Sequence, residues 1–192
     1  MTETTSEWIN APLRHLFRDL VQGGTPSTSI ASNWNGDIPW ITGADFTSCG
    51  IGDIRRYVSI KGIQSSSTSV VETGALLVVT RTGVGKLAIA KQPIAISQDI
   101  TGVYLDCSCA DVNFFYFLLS IEIENLKKYN QGTSINGITR RDLERHVVRF
   151  PKNIAVQKKI ARILQTIDRT IEKTGALIGK YRQIKTGLMH DL

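Results

Sequence analysis

The chain has 192 residues, 42% of them hydrophobic and 21% charged, enough for one domain with a real core plus an appendage. No apolar run approaches the roughly 18 residues that span a membrane, and the polar, acidic residues 1–10 have the character of neither a signal peptide nor a transit peptide. The formal net charge of +6 is confined to one end: residues 1–150 carry 14 basic and 14 acidic side chains, residues 151–192 nine basic and three acidic.

In chain order, residues 11–21 (Pro12, Leu13, Leu16, Phe17, Leu20, Val21) read as a short helix or strand entering the domain, and Gly23-Gly24-Thr25-Pro26-Ser27-Thr28 as a loop. Gly36-Asp37 turns into a strand at residues 38–42, where Pro39 implies an edge or a strand start. Residues 57–60 alternate as a strand, and residues 64–69 form a serine-rich loop. Residues 75–80 (ALLVVT) are the best buried strand. Gly83-Val84-Gly85 returns it as a hairpin into residues 87–90, and residues 94–96 and 101–105 continue the sheet. Residues 112–128 form a largely buried helix with Asp111 as N-cap. After the polar loop 131–137, a short helix capped by Thr139 and a strand at residues 147–150 lead to Pro151.

From about Ala155 the rest is one helix. Alternating steps of four and three pick out Ile160, Leu164, Ile167, Ile171, Thr174, Ile178, Tyr181, Lys185 and Leu188, widened on one side by Ile163, Leu177 and Ile184. That spacing over about four heptads is a coiled-coil signal. A helix projecting from a small body cannot bury such a stripe alone, so Ile160, Leu164, Ile167, Ile171, Ile178, Tyr181 and Leu188 are the candidate dimerisation residues. The excess positive charge lies on the same helix. It is either an ordinary solvated face or a surface near a polyanion.

The residues disfavour catalysis. Thr80-Arg81-Thr82-Gly83-Val84-Gly85-Lys86 lacks the glycine spacing of a phosphate loop, and Leu87 stands where that loop needs Ser or Thr. A tight hairpin offering Arg81 and Lys86 to a DNA phosphate fits better. Asn113-Phe114-Phe115-Tyr116 is similar to the catalytic motif of amino-methyltransferases, but it lacks the prolines and lies inside an apolar helix. The three histidines (His15, His146, His190) have no partner at ligand spacing. The cysteines are odd in number (Cys49, Cys107, Cys109), give no disulfide framework and suit a reducing cytoplasm. Cys107 and Cys109 are too close together for a zinc knuckle and read as structural. The loop 131–137, followed by Thr139, Arg140, Arg141 and Arg145, is different. Glycines and small polar side chains allow close backbone approach, and the arginines supply donors for phosphates or guanine edges. An ordinary surface loop remains the plain alternative.

Several of these stretches, in this order, resemble one repeat of the specificity subunit of type I restriction-modification systems. They are Gly23-Gly24-Thr25-Pro26-Ser27-Thr28, Gly36-Asp37-Ile38-Pro39-Trp40-Ile41-Thr42 with Asp45, Arg81 with Gly85-Lys86, and Gln98. They continue with Gln131-Gly132-Thr133-Ser134 and Ile138, then Pro151, Gln157 and Ile160-Ala161, and end with Lys185-Thr186-Gly187-Leu188-Met189. Val156 and Ser97 stand where the family often has an acidic residue and Asn.

The resemblance implies an α/β (α+β) protein: a mainly β target-recognition domain (1–150), then one long C-terminal coiled-coil helix (151–192). It implies that this chain is non-catalytic, with methyl donor, ATP and Mg on partner subunits. Full-length members carry two repeats whose helices pair antiparallel, with methyltransferase subunits docked beside them; the restriction subunit stays open as a further partner. A single repeat therefore implies a cytoplasmic homodimer reading a bipartite, palindromic site in double-stranded DNA. A helix of about 35 residues is roughly 50 Å long, more than one DNA turn of about 34 Å. The DNA-contact candidates are Arg81, Lys86, Thr133, Ser134, Asn136, Arg140 and Arg141, with Arg55, Arg56 and Lys61 as further basic residues. Two other classes stay open: a regulatory or structural partner of full-length specificity subunits that reads no DNA usefully, and an enzyme of unfamiliar kind.

Overall fold

The computed structural model describes residues 7–47, 50–128 and 137–190. Among these, β8 (Leu76–Val79) organises the body, because all four of its residues are buried. Side chains alternate across a strand, so Leu76 and Val78 face a helical layer while Leu77 and Val79 face a second sheet. The result is three layers.

The central sheet is antiparallel, in the order β2 (Phe17–Gln22), β11 (Ile100–Leu105), β8, β9 (Leu87–Ile89). The second has the order β6 (Arg56–Val58), β3 (Ile38–Ile41), β10 (Ile94–Ile96), β7 (Ser69–Val71), with β3 and β10 parallel. Ile41, Val71, Ile94 and Ile96 from this sheet meet Leu77 and Val79 between the layers. On the other side of the central sheet lie α2 (Val112–Lys128), α3 (Arg140–Arg145) and the first turns of α4 (Ile154–His190), with Phe114, Phe115, Leu119, Leu143 and Ala161 in the core. A ribbon of β1 (Trp8–Pro12) and β12 (Val147–Pro151) closes that layer, and β4 (Phe46–Thr47) with β5 (Gly50–Ile51) forms a small separate hairpin.

Four local expectations are corrected. Residues 11–21 are parts of two strands, β1 and β2, joined by a 3-10 turn at Leu13–His15, because each strand finds a distant partner. The strand expected at 57–60 ends at Val58, since the Ser59 hydroxyl accepts from Gly62 N at 3.1 Å and starts α1 (Ile60–Gln64). β3 is interior rather than an edge, with Pro39 at its start; β10 pairs only from Trp40 onward, so Pro39 has β6 alone beside it. Residues 94–96 do not continue the sheet of β8 but cross to the other one. The hairpin turn is as expected, with Gly83 and Gly85 at φ of 82° and 101°, a region that favours glycine.

Candidate functional site

Two surfaces follow from this scaffold. The first gathers at the far end of β8. Thr80 N donates to Asp99 O at 2.7 Å, and the Thr82 hydroxyl donates to the Asp99 carboxylate at 3.2 Å, which fixes the 80–86 turn. Ile138 N donates to Thr80 O at 2.8 Å, and a Cβ on Gly137 would stand 2.8 Å from that same oxygen. The chain entering α3 therefore lies directly against Arg81. Thr139 caps α3 through a reciprocal box with Asp142. Arg81 and Arg141 are both exposed, and no side-chain partner holds either among the described residues. Arg140 Nε donates to Glu144 at 2.8 Å, one turn along α3. Arg81, Arg140 and Arg141, distant in sequence, thus share one end of the body. Thr133, Ser134 and Asn136, which immediately precede this surface, lie outside the described residues.

Lys86 is placed differently. Its ammonium donates to Gly43 O (3.3 Å) and Phe46 O (3.0 Å), pinning the hairpin to the 3-10 turn at Gly43–Asp45. Arg55 and Arg56 both turn to Asp45, Arg55 through Nε at 3.0 Å, and Arg56 also lies 4.4 Å over the Trp40 ring. Burial alone would raise the Asp45 carboxyl. The hydrogen bonds from Arg55 and Thr42 and the Arg55 charge outweigh it and hold the carboxyl below its usual range. Lys61 is exposed on α1.

Many residues that carry the sequence resemblance are internal ties. A Cβ on Gly23 would collide with the Ile96 carbonyl, and the Trp40 indole donates to Gly24 O at 3.1 Å. The Thr25 hydroxyl donates to Gln98. Gln157, fully buried, accepts from Asp111 N at 2.8 Å and donates to Cys109 O (3.0 Å) and Pro151 O (2.8 Å). This one side chain joins the start of α2 to the base of α4. Cys109 is partly buried; burial and then the Asp106 charge raise its thiol, keeping it protonated. His146 is buried with Nε2 3.0 Å from Glu122, joining the end of α3 to α2.

The second surface is α4 itself. Ile160 and Leu164 are half-buried, Ile160 against the body's core, and the Gln165 amide donates to Asn113 on α2 at 2.8 Å. Beyond this point the helix leaves the body. Ile167 (49%), Ile171 (64%), Ile178 (48%), Tyr181 (63%) and Leu188 (64%) are exposed in one row, flanked by exposed Ile163, Leu177 and Ile184.

Residues 6–179 match the profile of the type I restriction modification DNA specificity domain. The chain belongs to this family. A curated relative, the type I restriction enzyme MjaIX specificity subunit of Methanocaldococcus jannaschii, is 28% identical over 158 residues, covering 80% of this chain and 36% of that protein. Among solved structures, the type I restriction-modification S subunit from M. genitalium superposes with a TM-score of 0.67 at 19% identity, over 95% of this chain and 45% of the other. The HsdS subunit from Thermoanaerobacter tengcongensis does so at 0.65 and 19%, over 88% and 39%. The likeness to those structures is one of fold. This specificity domain spans less than half the length of each of these relatives. Among the described residues no helix is long and apolar enough to cross a membrane.

Proposed function

We propose that this chain is the DNA-reading half of a type I specificity subunit, working as a pair of copies joined through α4. The observation that carries the reading is the exposed apolar row from Ile167 to Leu188 on a helix that has already left its own body. Exposed isoleucines and leucines at heptad spacing are stabilised by an equivalent helix. Two copies related by a two-fold axis would present two recognition bodies to DNA in opposite senses, which suits a bipartite palindromic site. The helix of 37 residues is about 55 Å long at 1.5 Å per residue, room for half-sites more than one duplex turn apart.

Arg81, Arg140 and Arg141, with the preceding Thr133, Ser134 and Asn136, are the proposed DNA-facing set. Lys86 would serve it by holding the hairpin in place. The chain itself would perform no catalysis; methyltransferase subunits docked beside α4 would supply the methyl donor site, and a restriction subunit the ATP and Mg sites. The test is methylation mapping in cells carrying this chain and its modification subunit. The expected result is methylation at a split, symmetric sequence. Methylation unchanged when this chain is deleted would overturn the reading.

A further inference from the structure

Where α4 leaves the body it overhangs a groove of about 800 Å³. Its floor is β9 and the residues beside the β4–β5 hairpin, one wall is Tyr116 and Phe117 of α2, and the other is Asp168, Ile171 and Glu172 of α4. We infer that this groove receives residues 180–188 of a second copy, with Tyr181 of that copy against the aromatic wall. This rests on the pairing of two copies through α4.

Three observations point to that occupant. Ile171 belongs both to the groove's lip and to the exposed apolar row, so groove and row are one continuous surface. The acidic residues of α4 are Asp168 and Glu172, and both line the groove, with Arg169 and Lys91 also in its lining. The distal half of the helix carries Lys173, Lys180, Arg182 and Lys185 and no acid. Antiparallel pairing sets that basic segment beside Asp168 and Glu172, whereas parallel pairing would set those two acids at the level of their own copies. The third is register. Interleaving with an antiparallel copy allows alignments spaced one heptad apart, and two of them overlap the stripe from Ile160 to Leu188 most fully. One opposes Leu164 with Tyr181 and Ile167 with Ile178. The other opposes Leu164 with Leu188 and Ile171 with Tyr181, and brings Asp168 beside Arg182 at both ends of the pair. Only the second places the basic segment along the groove.

The groove would thus select one alignment where the apolar row alone tolerates two. The choice has a consequence for DNA. A slip of one heptad moves the bodies by about 10 Å at 1.5 Å per residue, about three base pairs at roughly 3.4 Å each. A specificity subunit that slipped would read half-sites at two spacings.

The test replaces Tyr181 with photoreactive p-benzoylphenylalanine in an equal mixture of nitrogen-15-labelled and unlabelled full chains, with mass measured before irradiation. Cross-links between copies from position 181 to residues 113–117 or to Gln92 are expected. In a sample of dimeric mass, cross-links confined to α4 of the other copy would overturn the groove while leaving the pairing intact. A monomeric mass would overturn both. Charge exchange gives a second readout that needs no photochemistry. Asp168→Arg or Arg182→Asp alone should weaken the dimer roughly tenfold, two exposed ion pairs being lost at once, and the double variant should restore it. A double variant as weak as the sum of the singles would overturn the alignment.

Discussion

The base of α4 and its outer two-thirds are one continuous helix in opposite physical situations. At the base, side chains are engaged with the body: Gln157 joins three backbone groups, Ala161 is in the core, and Gln165 holds Asn113. In the outer part the apolar residues are as numerous but stand exposed. The base shows how buried and half-buried polar residues serve architecture, by aiming a lever. The outer part shows where the molecule's unsatisfied surface lies.

That contrast can be broken in a graded way. The largest effect is expected from Ile171→Asp, which places a carboxylate from each copy in the seam. Pairing should weaken by several kcal/mol, about a thousandfold or more by sedimentation, while urea unfolding of the dilute monomer stays within about 0.5 kcal/mol of the parent, as at other exposed positions. Gln157→Ala should do the reverse. Leaving Asp111 N, Cys109 O and Pro151 O without their partner should cost about 3 kcal/mol of fold stability in the same urea experiment, and equal stability would show that the buried amide is dispensable. For DNA, Arg81→Ala with Arg141→Ala should cost about 2–4 kcal/mol of affinity and lower the salt slope by about two in a titration. Lys86→Ala should act on hairpin stability more than on salt slope.

The smallest effect concerns pH. Because the Asp45 carboxyl is held below the usual carboxylate range, its contribution is fully present above that range and is lost as pH falls through the lowered one. Asp45→Asn should remove that part of the acid-side slope in an unfolding series, and an unchanged slope would show that the Arg55 pair carries no linkage.

The helix was legible from its 4-3 spacing because an isolated helix states its exposed and buried faces in local sequence. The caps Asp111 and Thr139 were legible for the same local reason, and both hold: Phe114 N donates to Asp111 at 3.0 Å, and Asp142 N to Thr139 at 3.2 Å. What was not legible depended on distant pairing. Residues 94–96 look like the next strand of the β8 sheet, yet parallel pairing with Trp40 and Ile41 draws them into the other sheet. The helix α1 has a single turn and a cap, too little for periodicity to show. At the site, Arg81 and Arg141 could be nominated as cations, but their adjacency rests on the Ile138–Thr80 hydrogen bond. Arg55 and Arg56 are the lesser candidates by sequence, and both turn to Asp45.

The central claim is that the row of apolar side chains beyond Gln165 is covered by a second copy of the chain. Sedimentation equilibrium of the unaltered protein across nanomolar to micromolar concentration tests it most directly. A species of twice 21.2 kDa at the upper end, dissociating on dilution, is the expected result. A single 21.2 kDa species throughout would contradict it.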